Sequence, residues 1–559
     1  MRHLCLVMLL ASALFAVLAG CDSPSSESSG GTSTNPPTGA ALTLDTTVLA
    51  GATVGVAYSA AISASNGTAP FVWSVAGAVP NGLAVDVGSV TSATTLSGTP
   101  TLVGNFTFTV QIADGTASAS RQFTMNVAAA SGNPQTEQQL RQVIAQKNIV
   151  GLTAQQLPAL NAQQVELGRL LFFDKILSGS QGVACSTCHH PTENMGDSLN
   201  LSVGVGGVGS QGEVGPGRTH PSGVFIPRNA QPVFATHLMP AMFWDKRIER
   251  PLPPPPPPGQ PPPPPPNFVN TPEGQMQLAP DEAQALFPLV SLTEMRGTGH
   301  SLDGLSNSAY RLALLARLQG ITEYVTRFNA AFPAGSPEVG ATVNNMGRAM
   351  AQFERSQTFI DSPWDRYLRG DSGALTDAQK RGGILFFGRA ACDACHNGPM
   401  LSNFTTHNIG VPQFGPGQGN GPSGREDFGF ENVTGNPQNR YQFRVPPLRN
   451  VALTGPYMHN GAFTTLNEVV AHYKTKQASA QGYTGLNMLQ AAALAPTLLP
   501  VQPVLGNLSP LFLNVPGDLS NAEIADIVAF MEGLTDPAAQ LRLQEIPATV
   551  PSGLTVDQN

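Results

Sequence analysis

The chain has 559 residues, a formal net charge of −8, and 12% charged against 41% hydrophobic residues. That length allows three to four domains, and the acidic balance, with no basic stripe, argues against a nucleic-acid partner. Six cysteines fall as Cys5, Cys21 and two CxxC pairs, so none is left for a disulfide framework.

Arg2 precedes a 16-residue apolar run, residues 4–19. The run is too short to span a membrane and fits the core of an export signal. Leu18-Ala19-Gly20-Cys21 resembles the bacterial lipobox. This implies cleavage after residue 20, a lipidated Cys21, and a mature charge near −9 once Arg2 is lost. Residues 21–40, rich in Ser, Gly, Thr and Pro, read as a flexible tether. The expected location is the periplasmic side of the cell envelope, with the chain lipid-anchored to a membrane.

Residues 41–130 change character. Phe106, Phe108, Val110 and Ile112 alternate with polar residues, and Phe123, Met125 and Val127 repeat the pattern. Such runs, separated by Asn66-Gly67, Pro80-Asn81-Gly82 and Gly98-Thr99-Pro100, predict a β-sandwich. Pro80-Asn81-Gly82-Leu83 followed by Leu96-Ser97-Gly98-Thr99-Pro100 resembles the Ig-like modules of bacterial surface proteins. The segment carries no titratable cluster, so it reads as a spacer or adhesion module.

From residue 135 the pattern is helical. Asn161 with Gln164, Thr376 with Gln379, and Ser520 with Glu523 mark three helix starts. Gly168-Arg169-Leu170-Leu171-Phe172-Phe173 and Gly382-Gly383-Ile384-Leu385-Phe386-Phe387 form an internal repeat, each just before a CxxC pair. Two related helical halves, 135–375 and 376–540, are expected, followed by a tail, 541–559. Between the two CxxC pairs, residues 251–266 hold 13 prolines in 16 positions. This run predicts a polyproline II insert on the surface.

Cys185-Ser186-Thr187-Cys188-His189 and Cys392-Asp393-Ala394-Cys395-His396 are both CxxCH, the c-type haem attachment signature. On a tight turn the two thiols reach the two vinyl groups of one haem, and the adjacent His becomes the proximal iron ligand. Two covalent haems are therefore expected. Seven further histidines remain: His190, His220, His237, His300, His407, His459 and His472. Spacing does not choose a distal ligand among them.

Residues from about 140 to 535 resemble the bacterial di-haem cytochrome c peroxidases, including the MauG-type branch. The resemblance rests on ordered motifs: Pro227-Arg228-Asn229-Ala230, Phe243-Trp244-Asp245-Lys246-Arg247, Thr293-Glu294-Met295, Ser362-Pro363-Trp364-Asp365, Pro447-Leu448-Arg449-Asn450, and Pro456-Tyr457-Met458-His459. It implies two mainly α cytochrome c-like domains, which follow the N-terminal all-β Ig-like sandwich expected from residues 41–130. The haem on His189 would be the peroxidatic one, with Glu294 as the distal acid–base carboxylate and Gln284 as the distal amide. Trp244 would lie between the haems, and Asn229, Thr454 and Pro456 would bind a calcium ion.

Two positions depart from the electron-entry pattern of the peroxidases. Tyr473 stands fourteen residues after His459, where peroxidases with a Met-ligated second haem carry Met. MauG-like members carry Tyr there, so the haem on His396 is expected to be His/Tyr, with Met458 as the alternative. His220 lies where many members hold a removable His before Pro227-Arg228-Asn229, but the segment here is longer. The expected function is reduction of hydrogen peroxide with electrons shared between two haems, drawn from a small redox protein. Two alternatives remain: a MauG-like oxidase acting on a protein or organic substrate, and a surface electron carrier.

Overall fold

The computed structural model describes residues 41–128, 133–209, 214–251, 266–540 and 542–558. The export signal, the tether with Cys21, and nearly all of the proline run lie outside the described residues. The chain divides into two compact units, one ending at Ala128 and one running from Ala129 to the end.

The first unit is a β-sandwich of two four-stranded sheets. One takes Thr43–Leu44, Tyr58–Ser65, Ala93–Gly98 and Leu83–Val85 in spatial order. The other takes Ala52–Thr53, Ser118–Ala128, Gly104–Ala113 and Val72–Gly77. The alternation read from the sequence buries the intended face. Phe108, Val110 and Ile112 lie in the core with Phe123, Met125 and Val127, and Phe108 pairs directly across from Phe123. The turn motif has a steric cause. A Cβ on Gly98, whose φ is +138°, would stand 2.1 Å from the Gly82 carbonyl oxygen, so both chains need glycine to pass.

The second unit is mainly helical, and the internal repeat explains its frame. Helix Ala162–Phe173 packs on helix Val343–Ser356, and helix Asp377–Phe387 packs on helix Asn521–Glu532. Gly168 and Gly382 occupy the same place in the two repeats. A Cβ on either would lie 1.9 Å from a carbonyl oxygen of the facing helix, Ala349 and Asp526 respectively. The paired phenylalanines then fill each core, with Phe172 and Phe173 in one and Phe386 and Phe387 in the other. All three predicted helix starts are capped: Gln164 N–H donates to Asn161 Oδ1, and Thr376 and Ser520 form capping boxes.

The two halves do not divide cleanly at residue 376. Leu140, on helix Pro134–Lys147, and Trp364 and Tyr367, on helix Pro363–Leu368, belong to the core around Phe386 and Phe387. Val550 and Val556, from the expected tail, belong to the core around Phe172 and Phe173. Each half thus borrows chain from the other's side of the boundary, because the apolar faces at both ends find their cover there. Strands Ile248–Glu249 and Val269–Thr271, which flank the proline insert, pair antiparallel at Glu249 and Asn270. The chain therefore leaves for the insert and returns at one place.

Candidate active site

Each CxxCH begins as one turn of 3₁₀ helix, at Cys185–Thr187 and at Cys392–Ala394. The turn closes with His189 N–H donating to the Cys185 carbonyl and His396 N–H to that of Cys392, at 3.0 and 2.9 Å. Phe172 stands 6.5 Å from the His189 ring and Phe386 stands 6.4 Å from that of His396, so the repeat places the same aromatic beside each imidazole. The four cysteines are unbridged. Among the described residues, no three His, Cys, Asp or Glu side chains converge as a metal cluster. That leaves no shared zinc site for the two CxxC pairs.

A cavity of about 370 Å³ reaches both turns; Cys185, Cys188, His189, Cys392, Cys395 and His396 all line it. His396 Nδ1 donates to the Leu401 carbonyl at 3.0 Å, which fixes the ring and leaves Nε2 free to bind iron. The buried His189 ring lies beside the Met195 and Gln231 backbones, with Nδ1 lacking a bond of good geometry. Burial pushes both imidazoles down to about 4, the neutral state an iron ligand needs. The cavity wall also suits a haem's carboxylates. Arg228, Arg247 and Arg444 line it; Asp245 pairs with Arg228 and Arg247, and Asp427 pairs with Arg228. Arg444 donates only to backbone carbonyls, those of Phe243 and Val445, and burial pushes it down to about 10. The residues present therefore fit two covalently attached haems.

The structure brings most of the expected site residues to this cavity. Gln284, at the end of helix Pro280–Gln284, and Glu294 both line it. The Glu294 carboxyl is raised above its ordinary value by burial, against the pull of Arg247 and Arg228. Trp244 lines the same wall, its Nε1–H donating to the Asn229 carbonyl at 3.0 Å. Tyr473, on helix Leu466–Thr475, lines the far end near Cys395 and Cys392, and burial raises its phenol. Met458 also reaches the cavity.

A second void of about 10 Å³ is lined by Asn229, Thr454, Gly455 and Asp197. Asn229 Nδ2–H donates to the Leu199 carbonyl at 2.8 Å, and the buried Asp197 Oδ2 has no partner. Pro456 lines the large cavity instead.

His220 is not brought to the site. It is absent from the cavity wall, and its Nδ1 accepts from Ser222 N–H at 3.0 Å in a turn whose ring faces Gly206. Gly223 N–H donates to the His220 carbonyl at 2.9 Å and closes that turn. Of the seven histidines left open by spacing, His407 and His459 line the cavity. Arg228, Arg247 and His459 lie inside the ordered motifs of the sequence, whereas His407 and Arg444 lie outside them.

A model of the di-haem cytochrome c peroxidase family matches residues 162–373, and an Ig-domain model matches 36–128. Cytochrome c551 peroxidase of Pseudomonas aeruginosa is 33% identical over 314 residues, 56% of this chain and 72% of its own length. The chain belongs to the di-haem cytochrome c peroxidase family. Cytochrome-c peroxidase IdrP1 of Pseudomonas sp. strain SCT is 29% identical, over 70% of this chain and 87% of its own. Methylamine utilization protein MauG of Methylorubrum extorquens is 28% identical, over 69% and 82%. The second unit is thus a di-haem peroxidase, an oxidoreductase with two c-type haems, and the first is an Ig-like domain.

Proposed function

We propose that this di-haem peroxidase reduces hydrogen peroxide at the haem on His189, with Glu294 as its acid–base group. The observation that carries the reading is that one cavity holds both CxxCH motifs together with the Glu294 carboxyl and the Gln284 amide. Each haem would be held by two cysteine thioethers and by Nε2 of His189 or His396, and would supply redox-active iron. Glu294 takes the proton from the near oxygen of peroxide and returns it to the far one, which eases O–O cleavage. Gln284 orients the peroxide by hydrogen bonding. The Trp244 indole, on the wall shared by the two haem sites, is placed to pass electrons between them. Tyr473 is the ligand proposed for the second iron. That choice keeps a MauG-like oxidation of a protein or organic substrate as the second reading.

A calcium ion is proposed at the small void, beside the Asn229 side chain and Thr454 that line it; Pro456, the third donor expected, lines the large cavity. An all-oxygen set suits that hard cation, and the Asp197 carboxyl, which burial pushes up to about 7, lines the same void and would be ionised by a bound cation. Lipid attachment at Cys21 would hold the enzyme at a membrane on the periplasmic side, where a small redox protein supplies electrons.

The test is selective removal of each haem. Cys185→Ala/Cys188→Ala is expected to leave one haem per chain and abolish peroxide turnover. Cys392→Ala/Cys395→Ala also halves the haem content. Turnover that survives loss of the first haem would overturn the assignment.

A further inference from the structure

Helix Val343–Ser356 presents a second carboxyl to the cavity, that of Glu354. The residue is 4% exposed, and its Oε2 makes no hydrogen bond of good geometry among the described residues. Thr236, buried on the cavity wall, is close enough to hydrogen-bond that carboxyl, but its Oγ1 makes no bond of good geometry among the described residues. The next residue, His237, is half-buried. Its Nε2 bonds the Gln156 carbonyl at 3.1 Å, and its buried Nδ1 has no partner. Each buried polar atom left alone costs about 1–3 kcal/mol. Ordered water relieves that cost where a site is polar and has two or more groups to bridge.

The outer side of the cluster is charged. Arg355 Nε donates to Asp281 Oδ2 at 2.6 Å and its Nη2 to Glu282 at 2.9 Å. The Asp281 charge acts on both Glu354 and His237, which ties the two to one neighbourhood. On the inner side, the charges of Glu354 and Glu294 both act on the Cys185 thiol, so the two carboxyls border the same end of the cavity.

We propose that Glu354, with Thr236 and His237, is the route by which protons from solvent reach the peroxide site. The stoichiometry requires such a route. Hydrogen peroxide takes up two protons and two electrons to give two waters, as one O–O bond breaks and two O–H bonds form. The electrons come from the redox-protein donor. Glu294 only moves a proton that the peroxide already carries, so both additional protons enter from outside. His237 is the outermost group, Thr236 and bridging water connect it inward, and the Glu354 carboxyl holds a proton at the wall. Burial and the Asp281 charge push Glu354 up to about 8, against the pull of Arg355. Near neutral pH the group is therefore protonated and able to donate. This inference deepens the peroxidase reading and rests on it.

The test uses the full-length, haem-loaded protein. In Glu354→Gln, kcat for peroxide should fall about 10²-fold. KM should be little changed, and the solvent deuterium isotope effect should be larger. Glu354→Asp should recover part of the rate. The infrared difference spectrum of the resting parent should show a carboxylic C=O band that disappears as pH rises through about 8 and is missing in Glu354→Gln. Thr236→Val, which keeps the carboxyl, should raise the isotope effect even if Glu354→Gln fails to fold. An unchanged rate and isotope effect, or lower haem content with unaltered turnover per haem, would overturn the proposal. A parent inert to peroxide would fail the peroxidase reading, whereas an active parent with an indifferent Glu354→Gln fails this inference alone.

Discussion

Tyr473 sits on a helix capped by Thr465 and Glu468, packs edge-on against Phe512 at 5.5 Å, and still faces the cavity beside the second CxxCH. That position is the basis for proposing the phenol as a ligand of the second iron. Phenolate is a hard anionic donor and lowers an iron potential relative to Met. Tyr473→Phe should keep both haems yet change the spectrum and raise the potential of the second one. An unaltered second-haem spectrum in that variant would refute ligation. Glu294 and Trp244 lie inside ordered motifs and Gln284 ten residues before one, so the sequence pointed to these positions and the fold brings all three to the cavity wall. His220 was not legible, because its segment had no fixed length to align. Arg444, His407, His459 and Glu354 come to the wall from different parts of the chain, and only folding brings them together.

At the scale of elements, the repeat before each CxxCH was legible because it has one physical cause. A glycine lets two helices cross, and two phenylalanines fill the space beside the haem histidine. The tail was not legible. Its sequence shows no helical period, yet it closes over the first haem turn. Asp557 receives Lys175 Nζ at 2.5 Å and Thr187 Oγ1–H at 2.8 Å, and its carbonyl bonds His190 Nε2 at 3.2 Å. Thr187 lies inside the first CxxCH and His190 directly follows it, so the tail fixes the turn that presents His189. Removing one partner of a buried ion pair costs about 3–5 kcal/mol, since the other charge stays buried. Asp557→Ala should lower unfolding free energy by that amount, measured by denaturant titration of the haem-loaded protein. A loss under about 1 kcal/mol would show that the strap does not hold the turn.

Among the described residues, the candidate site lies within the helical unit, and the sandwich is a separate unit. The sandwich was legible from strict alternation and glycine turns, and the helical unit from its caps and motifs. The exchange of chain ends across residue 376 was not, because it depends on which apolar face covers which. The proposed anchor acts at this scale too. Cys21→Ala should move the protein from the membrane fraction to the soluble periplasmic fraction, as read by fractionation and immunoblot. Unchanged membrane association would point to a different attachment.

The central claim, peroxide chemistry assisted by Glu294, is tested most directly by Glu294→Gln with both haems in place. Burial raises the Glu294 pKa above its ordinary 4.5, and the carboxylate must be ionised to accept the first proton. In the parent, kcat/KM for peroxide should therefore fall as pH drops through a value above 4.5. In stopped-flow measurements Glu294→Gln should react with peroxide about 10²–10⁴-fold more slowly and lack that acid limb. A loss below about threefold, or an acid limb retained in the variant, would contradict the account.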